Sequence, residues 1–124
     1  MKSKILVVED DEMVLALFSH ILTEGGFEVF STADGPRGVE LYKEQRPEVV
    51  LLDLALPTMN GLEVLRTIRE FDPTARVIVV TGYGSEESSE VAFRYGASDF
   101  IEKPFEPATL LNRIQSVSAK NSPA

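Results

Sequence analysis

Four short apolar runs in this chain each lead to a charged or polar residue, and this repeated pattern constrains the fold more than any other feature. The runs are 4–8, 49–52, 77–80 and 100–102. Short stretches rich in Val, Ile and Leu that alternate with helical patterns are typical of buried strands in a parallel sheet. The residues that follow these runs are Glu9 and Asp10, Asp53, Thr81 and Lys103. Because the carboxyl ends of parallel strands share one edge, where ligands bind, we expect these side chains to meet in one pocket.

Helical patterns separate the predicted strands, and a further short strand is predicted at 27–31. Helices are predicted from Asp11 to the Gly25-Gly26 stop, over 36–45, over 61–71, over 85–95, and in the C-terminal segment. The first has an apolar face made of Met13, Val14, Leu17, Phe18, Ile21 and Leu22. The last would bury Leu110, Leu111, Ile114 and Val117, after a fifth strand at 98–102. This alternation predicts an α/β, doubly wound, flavodoxin-like fold: five parallel strands in the order 2-1-3-4-5, with five helices.

Size and composition exclude several classes of protein. The 124 residues are enough for one domain, which we expect over 1–120 with a disordered tail at 121–124. The net charge of −8 and the absence of a Lys/Arg run argue against direct nucleic acid binding. No cysteine is present for a disulfide or a thiolate site. The first apolar run is broken by Glu9, so we predict no signal peptide, no membrane span and a cytoplasmic location.

The predicted edge of the sheet carries three acids, Glu9, Asp10 and Asp53. Two unit charges ~4 Å apart repel by roughly 4 kcal/mol at an effective dielectric constant near 20, so such a cluster requires a cation. Ligation by oxygen alone favours a hard ion such as Mg²⁺, which also takes phosphate oxygens as ligands. A carboxylate can itself accept a phosphoryl group as an acyl phosphate. The edge therefore predicts Mg²⁺-dependent phosphoryl chemistry, with an ammonium from Lys103 and a hydroxyl from Thr81 beside it.

At this point the chain resembles a known family, the receiver domains of two-component response regulators, over residues 3 to 118. The motifs that carry the resemblance are Ile5–Asp10, Leu51–Asp53 with Pro57 and Gly61 after it, Val79–Gly82, Gly96-Ala97 and Lys103–Phe105. They occur in the order and at the spacing typical of that family. The resemblance implies a signalling switch that accepts a phosphoryl group and catalyses only its own phosphorylation and dephosphorylation, rather than an enzyme acting on external substrates.

The resemblance also implies the roles of the acidic residues. Asp53 would be the phosphoacceptor and a metal ligand. Asp10 would bind Mg²⁺ directly, Glu9 would act mainly through metal-bound water, and the backbone carbonyl of Ala55 would be a further ligand. Asp11 is predicted to cap the first helix, with the alternative that it shares the metal shell.

Three further residues would couple phosphorylation to a change of shape, again by resemblance. Lys103 would pair with Asp53 or its phosphate, and Thr81 would bond a phosphoryl oxygen. Phe100 would be the aromatic switch, although an aromatic residue in a strand is more often simply part of the core. The family usually carries a larger residue than Ala55 two positions after the phosphoacceptor, while Tyr83 is bulky, so the lifetime of the phosphate stays open.

The implied partners are a sensor histidine kinase or phosphotransfer protein, docking on the first helix, and an unidentified output domain or protein. The output partner would bind the face formed by the fourth helix, fifth strand and fifth helix, which could also form a homodimer. The alternative function is a Mg²⁺-dependent phosphohydrolase with an aspartyl nucleophile. Such enzymes generally place a second Asp where this chain has Ala55, which disfavours that alternative. A nucleotide site at Gly82-Tyr83-Gly84 lacks the third glycine of the usual motif.

Overall fold

The computed structural model describes residues 2–56, 60–82 and 86–118, with the backbone alone for 86–88. The predictions that concern Pro57, Tyr83, Gly84, Ser85 and the tail 121–124 fall outside these residues.

Within the described residues, five parallel strands form one sheet and five helices connect them. The strands are β1 (Lys4–Val8), β2 (Glu28–Thr32), β3 (Val49–Leu52), β4 (Val77–Thr81) and β5 (Asp99–Glu102). The helices are α1 (Glu12–Glu24), α2 (Gly35–Gln45), α3 (Gly61–Phe71), α4 (Glu86–Arg94) and α5 (Pro107–Val117). The strand order is β2-β1-β3-β4-β5. The predicted fold class, strand order and number of elements are confirmed.

Alternate residues of the central strands face two separate apolar layers, as the period of two in a strand requires. Leu6, Val8, Val50 and Leu52 face the layer that contains α2 and α3. The intervening residues of the same strands pack against α1 and α5. Every residue of β3 and β4 is buried. Burial on both faces explains why these strands have continuous apolar sequences rather than alternating ones.

Strand register brings the ends of β1 and β3 level. Val8 lies opposite Leu52, and the backbone N–H of Asp53 donates to the carbonyl of Val8 at 3.0 Å. The N–H of Lys103 donates in the same way to the carbonyl of Thr81, at 3.0 Å. These bonds hold the residues just past the strand ends in the same ladder as the strands. The backbone that carries the predicted site is thus fixed by the sheet.

Two residues of the predicted apolar face of α1 lie at the surface rather than in the core, since Met13 is 82% exposed and Leu17 is 46% exposed. The buried face of α1 consists of Phe18, Ile21 and Leu22, spaced three and four residues apart. Met13 and Leu17 lie beside that face, one residue before Val14 and Phe18 respectively, and therefore about 100° around the helix. They form an apolar margin on the surface instead.

Smaller differences concern the ends of elements. β2 begins at Glu28 because the N–H of Phe27 donates to the carbonyl of Leu22 and so closes the end of α1. β5 begins at Asp99 rather than at Ser98, and α4 ends at Arg94 rather than at Tyr95. None of the described helices is both long enough and apolar enough to span a membrane.

Candidate functional site

The carboxyl edge of the sheet brings Glu9, Asp10 and Asp53 together. Each contributes a carboxylate oxygen, and these three oxygens all lie within 4.8 Å of one another. Glu9 is only 1% exposed and Asp53 only 7%, whereas Asp10 is open to solvent. Since β1 and β3 are direct neighbours, residues 9–10 and 53 meet without any distortion of the sheet. The predicted convergence of the three acids is present.

Lys103 reaches the acids from the far side of β4. Its Nζ donates to Oδ2 of Asp53 at 3.0 Å and also contacts Oε1 of Glu9. Because β4 lies between β3 and β5, only a long side chain at this position can span the intervening strand. The sequence predicted the contact with Asp53 but not the contact with Glu9. Charge complementarity at the shared edge was the only signal for that second contact.

Burial and hydrogen bonding shift the pKa values of the two buried acids in opposite directions. Burial, followed by the hydrogen bond with Asp53, raises the pKa of Glu9 to about 7 despite the nearby ammonium of Lys103. Burial alone would also raise the pKa of Asp53, but hydrogen bonds from Glu9, the Ala55 N–H and Lys103 outweigh it and lower that pKa. Asp53 therefore remains ionised near neutral pH, which is the form needed for nucleophilic attack.

The donor set fits a hard divalent cation. It consists of carboxylate oxygens alone, which is the chemistry that Mg²⁺ prefers, and one of the three acids faces solvent so that water ligands can be retained. Ala55 lies at the rim of the same pocket, and its N–H donates to Oδ1 of Asp53 at 3.1 Å. The acidic group could thus hold a metal ion at the point where Asp53 is accessible.

An open pocket of about 520 Å³ gives access to Asp53. Its lining residues are Asp10, Asp11, Val14, Asp53, Ala55, Gly82 and Lys103. Thr81 is fully buried directly before Gly82. Val14 was not predicted to be part of the site, because its position on the apolar stripe of α1 gave no sign that it also borders the pocket. The pocket is large enough for a phosphoryl group and its donor to approach.

Asp11 and Phe100 lie outside the cluster of acids. Oδ1 of Asp11 accepts hydrogen bonds from the N–H groups of Met13 and Val14, at 2.9 and 3.2 Å, so Asp11 caps α1 as predicted. Among the described residues, the group of mutually close acidic oxygens does not include Asp11. Phe100 is half-buried and packs against the apolar layer that contains α2 and α3.

Comparison with known proteins identifies the family to which this chain belongs. A family model described as the response regulator receiver domain matches residues 5–115. The chain belongs to the receiver domain family of response regulators. The receiver domain is also 35% identical over 119 residues to the chemotaxis protein CheY of Thermotoga maritima, a match that covers 95% of this chain and 99% of the relative.

Solved structures of similar proteins support the same family assignment. A CheY-like response regulator receiver domain protein from Methanospirillum hungatei superposes with a TM-score of 0.89 at 34% identity, covering 94% of the receiver domain and 93% of that chain. A chain in the CheX–CheY–BeF3–Mg²⁺ complex from Borrelia burgdorferi superposes with a TM-score of 0.88 at 36% identity, covering 93% and 88% respectively. The receiver domain therefore shares its fold, and about a third of its residues, with these response regulator proteins.

Proposed function

We propose that this receiver domain is a signalling switch that accepts a phosphoryl group on Asp53 from a phospho-histidine donor, with Mg²⁺. The observation that carries the proposal is the convergence of Asp10, Glu9 and Lys103 on an ionised Asp53 at the base of an open pocket. A structural neighbour from Borrelia burgdorferi was crystallised with BeF3 and Mg²⁺, which supports the same chemistry here.

In the proposed reaction, an oxygen of the Asp53 carboxylate attacks phosphorus. The new O–P bond forms as the N–P bond of phosphohistidine breaks, and the bonding electrons return to the imidazole of the donor. When bound by Asp10, Asp53 and the carbonyl of Ala55, Mg²⁺ would neutralise charge on the phosphoryl oxygens. Lys103 leaves its contact with Glu9 and donates to the acyl phosphate, since its Nζ already lies within hydrogen-bonding distance of Asp53.

An apolar surface beside the pocket fits the phosphoryl donor. A groove of about 300 Å³ is lined by Val14, Leu17, Lys103, Pro104 and Phe105. Met13, which is highly exposed, lies on the same helix face as Leu17, one turn earlier. The groove shares Val14 and Lys103 with the phosphoacceptor pocket. A kinase or phosphotransfer protein seated on it would bring its histidine towards Asp53, in agreement with the docking predicted on the first helix.

The response to phosphorylation would pass through β4 and β5. The hydroxyl of Thr81 would bond a phosphoryl oxygen, and the side chain of Phe100 would follow into the space that Thr81 leaves. The exposed aromatic residues Phe93 and Tyr95 lie at the end of α4, on the face proposed for an output partner or a homodimer. The output is assigned to this face because β5 contains Phe100 and directly precedes Lys103.

The test is phosphorylation by a small donor. With acetyl phosphate and Mg²⁺, intact-protein mass spectrometry should show one added phosphoryl group on the wild type and none on Asp53→Asn. Asp72→Asn, a change of the same chemistry at the opposite end of β4, should behave as the wild type does. Phosphorylation that persists in Asp53→Asn would contradict the proposal. Steady release of phosphate from added phosphomonoesters would instead favour the phosphohydrolase, whose usual second Asp is replaced by Ala55 here.

A further inference from the structure

The first residue of α3, Gly61, lies unusually close to the backbone that carries the site. A Cβ atom built on Gly61 would lie 2.4 Å from the Cα of Leu54 and 2.5 Å from the carbonyl oxygen of Asp53. Real Cβ contacts essentially never fall below 3.0 Å, and both contacting atoms belong to the backbone. No side-chain rotation can relieve this contact, so any residue larger than glycine must displace main chain.

The displacement would fall on the segment just after Asp53, because the structure on either side is held. Asp53 is tied to the sheet by its N–H bond to the carbonyl of Val8, at 3.0 Å. α3 is held by Val64, Leu65 and Ile68, which are fully buried. Between these anchors, the N–H of Gly61 donates to the carbonyl of Leu54 at 3.0 Å. The backbone of Leu54 and Ala55 therefore has to absorb the shift.

Ala55 is the residue in that segment that matters for the site. Its N–H holds Oδ1 of Asp53 at 3.1 Å and so helps to fix the orientation of the carboxylate. Its carbonyl is the proposed backbone ligand for the metal. A shift of the segment would change both groups at once while leaving the side chains of Glu9, Asp10 and Asp53 chemically intact.

We propose that Gly61 is a positioning residue for the metal and phosphoryl site, acting through the backbone of Leu54 and Ala55. The proposal rests on the proposed function of Asp53. A side chain at position 61 would weaken cation binding without removing any ligand atom.

Gly25 offers a matched control at the end of α1. A Cβ atom there would lie 3.2 Å from Cδ2 of Leu111, the far end of a flexible side chain. The φ of Gly25 is −77°, which alanine adopts readily. Gly25→Ala therefore makes the same chemical change as Gly61→Ala, in contact with a side chain that can move.

The experiment measures binding of Mn²⁺, a spectroscopic probe for a hard divalent cation, by electron paramagnetic resonance, with urea unfolding of each variant alongside. We expect Gly61→Ala to bind Mn²⁺ about 10- to 100-fold more weakly than the wild type, the range typical of losing support for metal ligands. The Mn²⁺ affinity of Gly25→Ala should stay within about twofold of the wild type, because a substitution that is distant from a site and shares no partner with it does not couple to that site. Equal affinity of wild type and Gly61→Ala would overturn the inference, and so would an equal loss in Gly25→Ala. Absence of Mn²⁺ binding by the wild type would instead overturn the proposed metal site itself.

A second measurement does not depend on the variant folding. In the wild type, amide hydrogen exchange should show the N–H of Gly61 protected by its bond to the carbonyl of Leu54. Exchange of this amide at the rate of an unstructured chain would mean that the close approach does not persist in solution, and would overturn the proposal.

Discussion

The ammonium of Lys103 lies 3.0 Å from Oδ2 of Asp53 and also contacts Glu9, although β4 separates β5 from β3. One ammonium group thus contacts two acids that follow different strands, β1 and β3. Burial lowers the pKa of Lys103, but the hydrogen bonds and charges of Glu9 and Asp53 together raise that pKa by more, so the side chain stays charged. Lys103 contacts two of the three acids that could hold a divalent cation, so the two cations must compete or rearrange.

Replacing Lys103 by Met should therefore separate metal binding from phosphoryl uptake. Mg²⁺ should bind roughly tenfold more tightly, equivalent to about 1.4 kcal/mol and well below the roughly 4 kcal/mol between unit charges 4 Å apart at a dielectric constant of 20. The rate of phosphorylation by acetyl phosphate should fall by at least about tenfold, because a donor to the phosphoryl oxygens is lost. Calorimetric titration of Mg²⁺ and mass spectrometry of the phosphorylated form measure the two effects. Lys2→Met, at an exposed position, should change neither, and weaker Mg²⁺ binding in Lys103→Met would contradict the competition.

Thr81 should be needed for the response to phosphorylation rather than for phosphorylation itself. In Thr81→Ala, mass spectrometry should still detect phosphorylation of Asp53, while the NMR signals of the Phe100 ring should no longer shift when beryllofluoride and Mg²⁺ are added. Thr81→Ser keeps the hydroxyl and should keep the shift. Both variants lose a buried methyl group, so each should lose at least about 1 kcal/mol of unfolding free energy. If the NMR signals of the Phe100 ring shifted as much in Thr81→Ala as in the wild type, the proposed role of Thr81 in the response would be wrong.

Much of the site could be predicted from the sequence because the topology of the sheet determines where the residues after each strand lie. Once the apolar runs are identified as parallel strands, Asp53, Thr81 and Lys103 must lie at one edge, whatever the details of the helices. The acid pair could be placed too, since Glu9 and Asp10 directly follow the strand end at Val8, whereas Asp11 falls in the capping position of α1.

Other features depend on which neighbour covers a side chain, and the sequence does not contain that information directly. Met13 and Leu17 fit a helical stripe as well as Phe18 does, but the sheet reaches only one part of that stripe. The contact between Lys103 and Glu9 depends on how far a flexible side chain extends across β4. The close approach of Gly61 to Leu54 depends on the angle at which α3 begins.

A third prediction concerns stability and pH at the opposite end of the sheet. The hydroxyl of Tyr42 donates to Oδ2 of Asp72 at 2.6 Å. This bond, together with bonds from Thr74, lowers the pKa of Asp72 from its usual 3.8 to about 2, and Arg46 adds to the effect. Burial and the Asp72 carboxylate raise the pKa of Tyr42, so Tyr42 remains a donor. Because the pKa of Asp72 is lower in the folded state, its ionised form stabilises the fold above about pH 4, and this contribution is lost as the pH falls towards 2.

Tyr42→Phe should consequently lower the unfolding free energy at pH 7 by about 1.5–3 kcal/mol, the usual cost of losing a hydrogen bond to a charged group. The difference from the wild type should shrink between about pH 4 and pH 2, as Asp72 becomes protonated in both proteins. Urea unfolding at pH 7, 4, 3 and 2 measures this difference. Tyr95→Phe removes an exposed hydroxyl and should change stability by less than about 0.5 kcal/mol at every pH. A difference for Tyr42→Phe that stays constant down to pH 2 would show that the bond does not depend on the charge of Asp72.

The surface beside the pocket gives a prediction about the choice of donor. Leu17 on α1 and Phe93 on α4 are almost equally exposed, at 46% and 49%, but only Leu17 borders the groove next to Lys103. Changing either residue to Ser should leave stability within about 0.5 kcal/mol of the wild type, because exposed side chains contribute little to folding. Neither change alters the phosphoacceptor pocket, so phosphorylation by acetyl phosphate should proceed at the wild-type rate in both.

Transfer from a protein donor should distinguish the two variants. Among purified, autophosphorylated histidine kinases, the one that transfers fastest to the wild type would serve as the probe. Leu17→Ser should slow this transfer by at least about fivefold, the effect of losing about 1 kcal/mol of contact energy at the centre of an interface. Phe93→Ser should leave transfer unchanged, because α4 lies on the face proposed for the output. The reverse result, with slow transfer in Phe93→Ser and normal transfer in Leu17→Ser, would place the donor on α4 and leave the groove beside Lys103 without its proposed partner.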